Sequence, residues 1–279
     1  MKIDKNTAVV VTYNRCESLK KTVDCILRQT KKLSEIIIVD NGSTDDTEKF
    51  LHELACDNSN IIVERLNENL GGSGGFSKAI EMAYKRNADW IWGMDDDAYP
   101  TDDAFEVLCQ VKDKLIKGDA YWSNPNRDIQ FSKEYKSVDY LMFVGFFFSR
   151  NLIRTIGFPR NDLFIYYDDI EYSERIRKAG FEIYKVRDSI INHKDALSNK
   201  YRFKVLGTRL PSQAWRTYYF IRNEFLIYYN DKAKIKHIML KSIRQIFKAV
   251  PMGYKVIKAV ILAIHDGVLN YSGIRYRPK

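Results

Sequence analysis

No uninterrupted apolar run in this chain is long enough to span a bilayer, so a membrane-crossing helix is excluded. Cysteine is scarce: Cys16, Cys25, Cys56 and Cys109 are the four, without the closely spaced pairs that zinc sites use. A reduced, cytosolic compartment is the simplest account of such thiols. The opening residues Met1-Lys2-Ile3-Asp4-Lys5 pass straight into a strand pattern without the apolar segment of a secretory leader, so none is expected. Internal repeats and low-complexity stretches are missing as well. Two nucleotide-binding signatures are also absent. The glycine stretch at residues 71–75 does not end in the Gly-Lys-Ser or Gly-Lys-Thr of a Walker A loop, and the loop after the first strand has no glycine for a dinucleotide fingerprint. No recognised nucleic-acid motif accompanies the basic charge, so no nucleic-acid partner is expected.

What is present is a chain of 279 residues, 45% apolar, enough to bury a large core as one big domain or one domain with an appendage. Strand and helix patterns alternate through its first half. Continuous apolar strands are expected at residues 8–12, 35–40, 60–64 and 89–93, and helices at 18–29, 43–55 and 77–86. That alternation implies an α/β fold with a mainly parallel sheet covered on both faces.

Charge divides the chain. The formal net charge is +9, and residues 231–279 alone hold eleven Lys and Arg against two Asp, leaving 34 of each sign in residues 1–230. In the same tail Ile238, Leu240, Ile243, Ile246, Phe247, Val250, Val256, Ile257, Val260, Ile261 and Ile264 recur at helical spacing, with Pro251 and Gly253 expected to break the segment in two. Basic amphipathic helices of this kind lie on anionic membrane surfaces. The other reading is a pair of helices packed on the main domain with their lysines in water.

The chemistry gathers at the strand ends. Strand-like Trp90-Ile91-Trp92 runs into Asp95, Asp96 and Asp97, three adjacent carboxylates that need a cation or strong donors to stay ionised together. Oxygen ligation favours magnesium or manganese, ions that bridge carboxylates to substrate phosphates. A turn with capping aspartates is the structural alternative. Thr12-Tyr13-Asn14-Arg15, Asp40-Asn41-Gly42-Ser43-Thr44-Asp45 and Asn67 to Phe76 follow the other strands and open on the same sheet edge. Within the last, the glycines let backbone amides approach a phosphate or sugar ahead of a helix.

Taken together, Thr12 to Arg15, Val39 to Asp45, Asn69-Leu70-Gly71-Gly72-Ser73-Gly74-Gly75-Phe76 and Asp95-Asp96-Asp97 resemble glycosyltransferase family 2, inverting enzymes of the GT-A fold. The glycine loop and triple Asp are most similar to bacterial galactofuranosyltransferases, with rhamnosyltransferases nearby. The resemblance covers about residues 6–230 and implies a GT-A domain at 1–230 followed by the basic helical tail at 231–279. It further implies a UDP-sugar donor, with Thr12, Asn14, Arg15 and Asp40 around the uridine and Asn69, Gly71, Gly72 and Asp96 also on the donor. Asp95 and Asp97 would coordinate the metal.

In the second half, Tyr166-Tyr167-Asp168-Asp169-Ile170-Glu171 opens an amphipathic helix, and Asp168 and Glu171 have capping-box spacing. Asp169 falls in the first turn, where the helix dipole favours its ionised form. The resemblance assigns the general base to this pair, at Asp169, and a third metal ligand to His193 at the end of the following strand. A nitrogen ligand shifts the preference from magnesium towards manganese. The implied function is transfer of galactofuranose to a lipid-linked surface glycan, by an enzyme held at the cytoplasmic face of the membrane by its tail. Alternatives are a rhamnosyl- or other hexosyltransferase using dTDP-rhamnose or UDP-glucose, and an inactive nucleotide-binding scaffold subunit. Acceptor recognition is not specified: Tyr121, Trp122, Tyr166 and Tyr167 suit sugar rings and core packing equally. Tyr218 to Asn223 resembles a segment found in bacterial members of the family, with no chemical role evident from its residue types.

Overall fold

The computed structural model describes residues 4–115, 118–125, 131–193, 210–211 and 213–277. Its centre is the set of apolar strands β1 (Asn6–Thr12), β2 (Glu35–Asp40), β3 (Ile61–Arg65) and β4 (Trp90–Asp95), all parallel. Helices α1 (Cys16–Leu27), α2 (Thr47–Asp57) and α3 (Gly71–Lys85) connect them. There follow β5 (Ala98–Pro100), α4 (Ala104–Lys114), β6 (Ala120–Pro125), β7 (Tyr135–Val138), β8 (Phe146–Ser149), α5 (Arg150–Ile156), α6 (Asp168–Lys178) and β9 (Ile183–His193). The sheet order is β3-β2-β1-β4-β8-β6-β9-β5, with β7 paired to β9. The fold is therefore the expected α/β sheet, extended by antiparallel strands on one side.

Alternate residues of the central strands enter opposite cores, which is why these strands read as unbroken apolar runs. Ala8, Val10, Ile36, Ile38 and Trp92 pack with Leu19, Val23, Leu51 and Phe105 on one face. Val9, Val11, Ile37, Val39 and Ile91 pack with Phe76, Ile80, Tyr172 and Ile176 on the other. A third core joins Phe164, Tyr167 and Ile170 to the C-terminal helices α7 (Ala214–Ile227), α8 (Lys232–Ala249) and α9 (Tyr254–Val268). A single 3₁₀ turn at Val250–Met252 separates α8 from α9, where Pro251 and Gly253 predict a break. The tail therefore packs on the domain through Ile238, Ala249, Val256, Val260 and Ala263, while Leu240, Ile243, Phe247, Val250 and Tyr254 remain exposed on its outer side.

Several boundaries differ from the sequence pattern. Helix α1 starts at Cys16 instead of residue 18 because Asp45, from the loop after β2, accepts a hydrogen bond from the Cys16 amide at 3.2 Å. Helix α3 starts at Gly71, so the glycine stretch lies inside it. Gly71 has a φ of +75°, and a Cβ there would run into the Phe164 carbonyl oxygen. A Cβ on Gly75 would likewise strike the Val11 side chain. Finally, α6 has Tyr167 as its N-cap with no side-chain cap, and Glu171 pairs with Arg175 at 2.8 Å, so the capping box does not form.

Candidate active site

Parallel pairing lines up the loops that the chain pattern separates. Register places Val11 beside Asp95 and Thr12 beside Asp40, so the loops after β1, β2 and β4 open at one sheet edge. The chain then reverses through Asp96 and Asp97 into β5, whose antiparallel partner is the end of β9, with Ala98 opposite His193. That pairing brings His193 Nε2 to 2.9 Å from Asp97 Oδ1. Among the described residues, Asp95, Asp97 and His193 are the one group whose metal-type ligand atoms all lie within 4.8 Å of one another. Two carboxylates and an imidazole so disposed can share one divalent cation.

The electrostatics of the cluster agree with that donor set. Burial, with the neighbouring charges of Asp97, Asp96 and Asp168, outweighs the attraction of His193 and pushes Asp95 up to about 7. Burial likewise pushes Asp96 up to about 6, against the Thr12 hydrogen bond and the charge of Arg15. At Asp97 burial acts in the same direction, but the His193 hydrogen bond and Arg15 prevail and hold its carboxyl below the usual range. The protein alone therefore leaves this group short of positive charge. The residues fit a divalent cation with mixed oxygen and nitrogen ligation.

Asp96 plays a different part from its neighbours. Its Oδ2 accepts from the Thr12 hydroxyl at 2.8 Å and from the Tyr13 amide at 3.3 Å, while Thr22 donates to its carbonyl at 2.7 Å. Arg15 lies 3.5 Å from its Oδ1 and also pairs with Asp97. Thr12, Arg15, Asp96 and Asp97 thus form one network. Asn14, at a φ of +52°, accepts from the Thr44 amide at 2.7 Å and donates its own amide to Ser43 Oγ at 2.9 Å, tying the first two loops together. Asp40 is 1% exposed; its Oδ1 accepts from the Ser43 amide at 2.9 Å, whereas Oδ2 has no hydrogen-bond partner among the described residues. A buried carboxylate oxygen with spare acceptor capacity suits an N–H of a planar base.

The glycine loop is held mainly by protein. Asn69 Oδ1 accepts from the Gly71 amide at 2.7 Å, and the Ser73 amide donates to Phe164 at 3.2 Å. A Cβ on Gly72 would meet nothing within 4 Å, so of the two glycines assigned to the donor this one has the open side. Opposite this loop, α6 begins with half-buried Asp168, whose charge reaches Asp95, and Asp169, which is 3% exposed and accepts from the Ile170 amide at 2.9 Å. Tyr121 and Trp122 are fully buried in the core; Tyr166 remains half-buried.

Some residues without an assigned role prove to shape the site. Asn41 Oδ1 accepts from the Leu70 amide at 2.9 Å and its Nδ2 donates to the Gly71 carbonyl at 2.9 Å, fixing the glycine loop. Arg65 donates to the Ser43 carbonyl at 3.0 Å and lies 3.9 Å from Asp40. Thr22 and Arg65 carry no motif signal, since each acts only through a fold-dependent neighbour.

Known proteins share this fold. The family profile described as glycosyl transferase family 2 matches residues 7–161, more than half of the chain. The galactofuranosyltransferase GlfT1 of Mycolicibacterium smegmatis is 26% identical over 200 residues, a match that covers 62% of this chain and 65% of the length of GlfT1. Among solved structures, GalNAc-T7 with UDP, GalNAc and Mn2+ superposes with a TM-score of 0.64 at 14% identity, covering 95% of this chain and 56% of that one. The mannosyltransferase PcManGT of Pyrobaculum calidifontis, in complex with GDP-Man and Mn2+, gives 0.57 at 15% identity, covering 95% and 87%. The fold is that of the GT-A glycosyltransferases. The chain is a glycosyltransferase and belongs to glycosyl transferase family 2.

Proposed function

We propose that this enzyme transfers galactofuranose from UDP-galactofuranose, with inversion, to a lipid-linked surface glycan. The observation that carries the reading is the convergence of Asp95, Asp97 and His193 at the sheet edge that also holds Asp40. The choice of sugar is supported by the likeness to GlfT1. Asp40 Oδ2 accepts the uracil N–H, Thr12, Asn14 and Arg15 border the uridine, and Asn69, Gly71, Gly72 and Asp96 border the diphosphate and sugar. Asp95, Asp97 and His193 hold the divalent cation, manganese before magnesium, and when bound it offsets charge on the departing diphosphate. Asp169 removes the acceptor hydroxyl proton as that oxygen bonds to the anomeric carbon, and the bond from that carbon to the diphosphate oxygen breaks on the opposite face. UDP leaves with the bonding electrons.

The test is a panel of UDP-galactofuranose, UDP-glucose and dTDP-rhamnose with manganese and a lipid-linked glycan acceptor. UDP-galactofuranose is expected to exceed the others by about 100-fold in kcat/KM, since a site built on donor hydroxyl contacts rejects mismatched sugars strongly. Preference for another donor would overturn the assignment of the sugar; binding without turnover of any would favour a scaffold.

The tail supports attachment to the cytoplasmic face of the membrane. No described helix is long and apolar enough to cross a membrane. Instead, Leu240, Ile243 and Phe247 form an exposed row on α8, and Val250 and Tyr254 are exposed at the break that follows, with Phe247 73% and Tyr254 75% exposed. Lys236, Arg244, Lys248, Lys255 and Lys258 are exposed around it. Apolar groups flanked by cations match the acyl boundary and anionic headgroups. Because α8 and α9 also cover the third core, point substitutions test this better than deletion of the tail. Phe247→Ser with Lys248→Glu and Lys255→Glu is expected to weaken binding to phosphatidylglycerol vesicles more than about 10-fold, each lost cation counting for about 1 kcal/mol. Unchanged cosedimentation would remove the membrane from this account.

A further inference from the structure

Three non-glycine residues in the short segment that leads into α6 have left-handed backbone: Phe164 (φ +66°), Tyr166 (φ +69°) and Tyr167 (φ +66°). Each costs of order 1–3 kcal/mol and persists only where the surroundings over-determine it. Those surroundings are two adjacent side chains on α7. Arg222, fully buried, donates through Nη2 to the carbonyls of Asp162 at 3.1 Å and Leu163 at 3.2 Å, and through Nη1 to Gly273 at 2.8 Å. Asn223 Nδ2 faces the carbonyls of Leu163 at 2.8 Å, Ile165 at 2.8 Å and Tyr166 at 3.0 Å, while its Oδ1 accepts from Arg222 at 2.7 Å. The Phe164 carbonyl accepts from the Ser73 amide at 3.2 Å. Every carbonyl from 162 to 166 is thereby fixed, four of the five by this pair.

We infer that Arg222 and Asn223 are positioning residues for the reaction: they hold the strained 162–167 backbone and so set Asp168, whose charge reaches Asp95, and Asp169 at the start of α6. The inference rests on the proposed transfer reaction. Its physical basis is that a guanidinium and an amide, both buried, are spent on main-chain oxygens of one short segment, where an aliphatic pair would pack α7 equally well. The same contacts join the segment after α9 to the site, because Gly273 shares the Arg222 fork.

Asn223→Ala tests this, compared with Lys241→Gln, which cuts the 2.8 Å tie from α8 to Glu224 on α7 without touching the 162–167 segment. Asn223→Ala is expected to speed amide exchange across residues 162–171 by about 10-fold or more. It should lower kcat by about 100-fold, the effect of displacing a catalytic group by an ångström. Donor KM and Mn2+–UDP affinity should stay within about threefold of the parent, and Lys241→Gln should leave kcat unchanged at a similar loss of Tm. Should Asn223→Ala fail to fold, Asn223→Ser, which keeps one donor, serves in its place. Unaltered exchange at 162–171, or an equal kcat loss in Lys241→Gln, would overturn the inference. If the parent transfers no sugar, the reaction assignment fails, and the exchange result alone decides whether the pair holds the segment.

Discussion

Asp97→Asn and Asp95→Asn are each expected to lower sugar transfer by about 1,000-fold, because as the proposed ligands they would hold the cation whose offset of charge on the departing diphosphate is worth several kcal/mol. Both substitutions keep the side-chain shape while removing a charge. The Asp97 change has the wider reach, since this carboxylate also contacts His193 at 2.9 Å and pairs with Arg15. Its loss therefore weakens a contact of each of two neighbours. Mn2+ binding in the presence of UDP, followed by electron paramagnetic resonance or calorimetry, should weaken in step with the rate. Chelation of the parent enzyme should give the same loss, restored by manganese. Metal-dependent transfer within about 10-fold of the parent in either variant would show that the three carboxylates are a structural turn and not a cation site.

The second large effect is expected at α6. Asp169→Asn should reduce kcat by about 1,000-fold, within the range for loss of a general base, while donor KM and Mn2+–UDP affinity are retained. Asparagine keeps the oxygen that accepts from the Ile170 amide at 2.9 Å, so the helix start should survive. Asp168→Asn provides the comparison. Asp168 is half-buried and its charge reaches Asp95, so its removal should mainly alter cation affinity, with a smaller effect on kcat. If the two variants exchanged these behaviours, Asp168 would be the base. Equal, small effects would leave the acidic pair without a part in proton removal.

The two predictions depend on different kinds of information. Asp95, Asp96 and Asp97 stand together in the chain, directly after the apolar β4, and the resemblance to family 2 could be read from them and the strand-end loops. Their separate roles needed the register of β1 on β4, which sets the Thr12 hydroxyl 2.8 Å from Asp96 and leaves Asp97 to His193. The glycine stretch shows the opposite case. Its composition suggested a phosphate cradle, yet the Cβ position of Gly71 is occupied by the Phe164 carbonyl oxygen and that of Gly75 by Val11. Close packing explains these two glycines, and Gly72 alone of the two assigned to the donor opens away from protein.

What the sequence determined by itself was local: the alternation of apolar strands and amphipathic helices, the polar loops at the strand ends, and the basic, amphipathic character of residues 231–279. These follow from periodicity and residue type within a window of a few turns, which neighbouring side chains fix. Only the tertiary structure decided that β5 pairs antiparallel with β9, that Arg222 and Asn223 close on the backbone of 162–166, and that the tail covers a third core while exposing a separate apolar row. Each of these joins residues far apart in the chain, and such pairings are selected by the burial and hydrogen bonding of the whole fold, for which no local pattern is diagnostic.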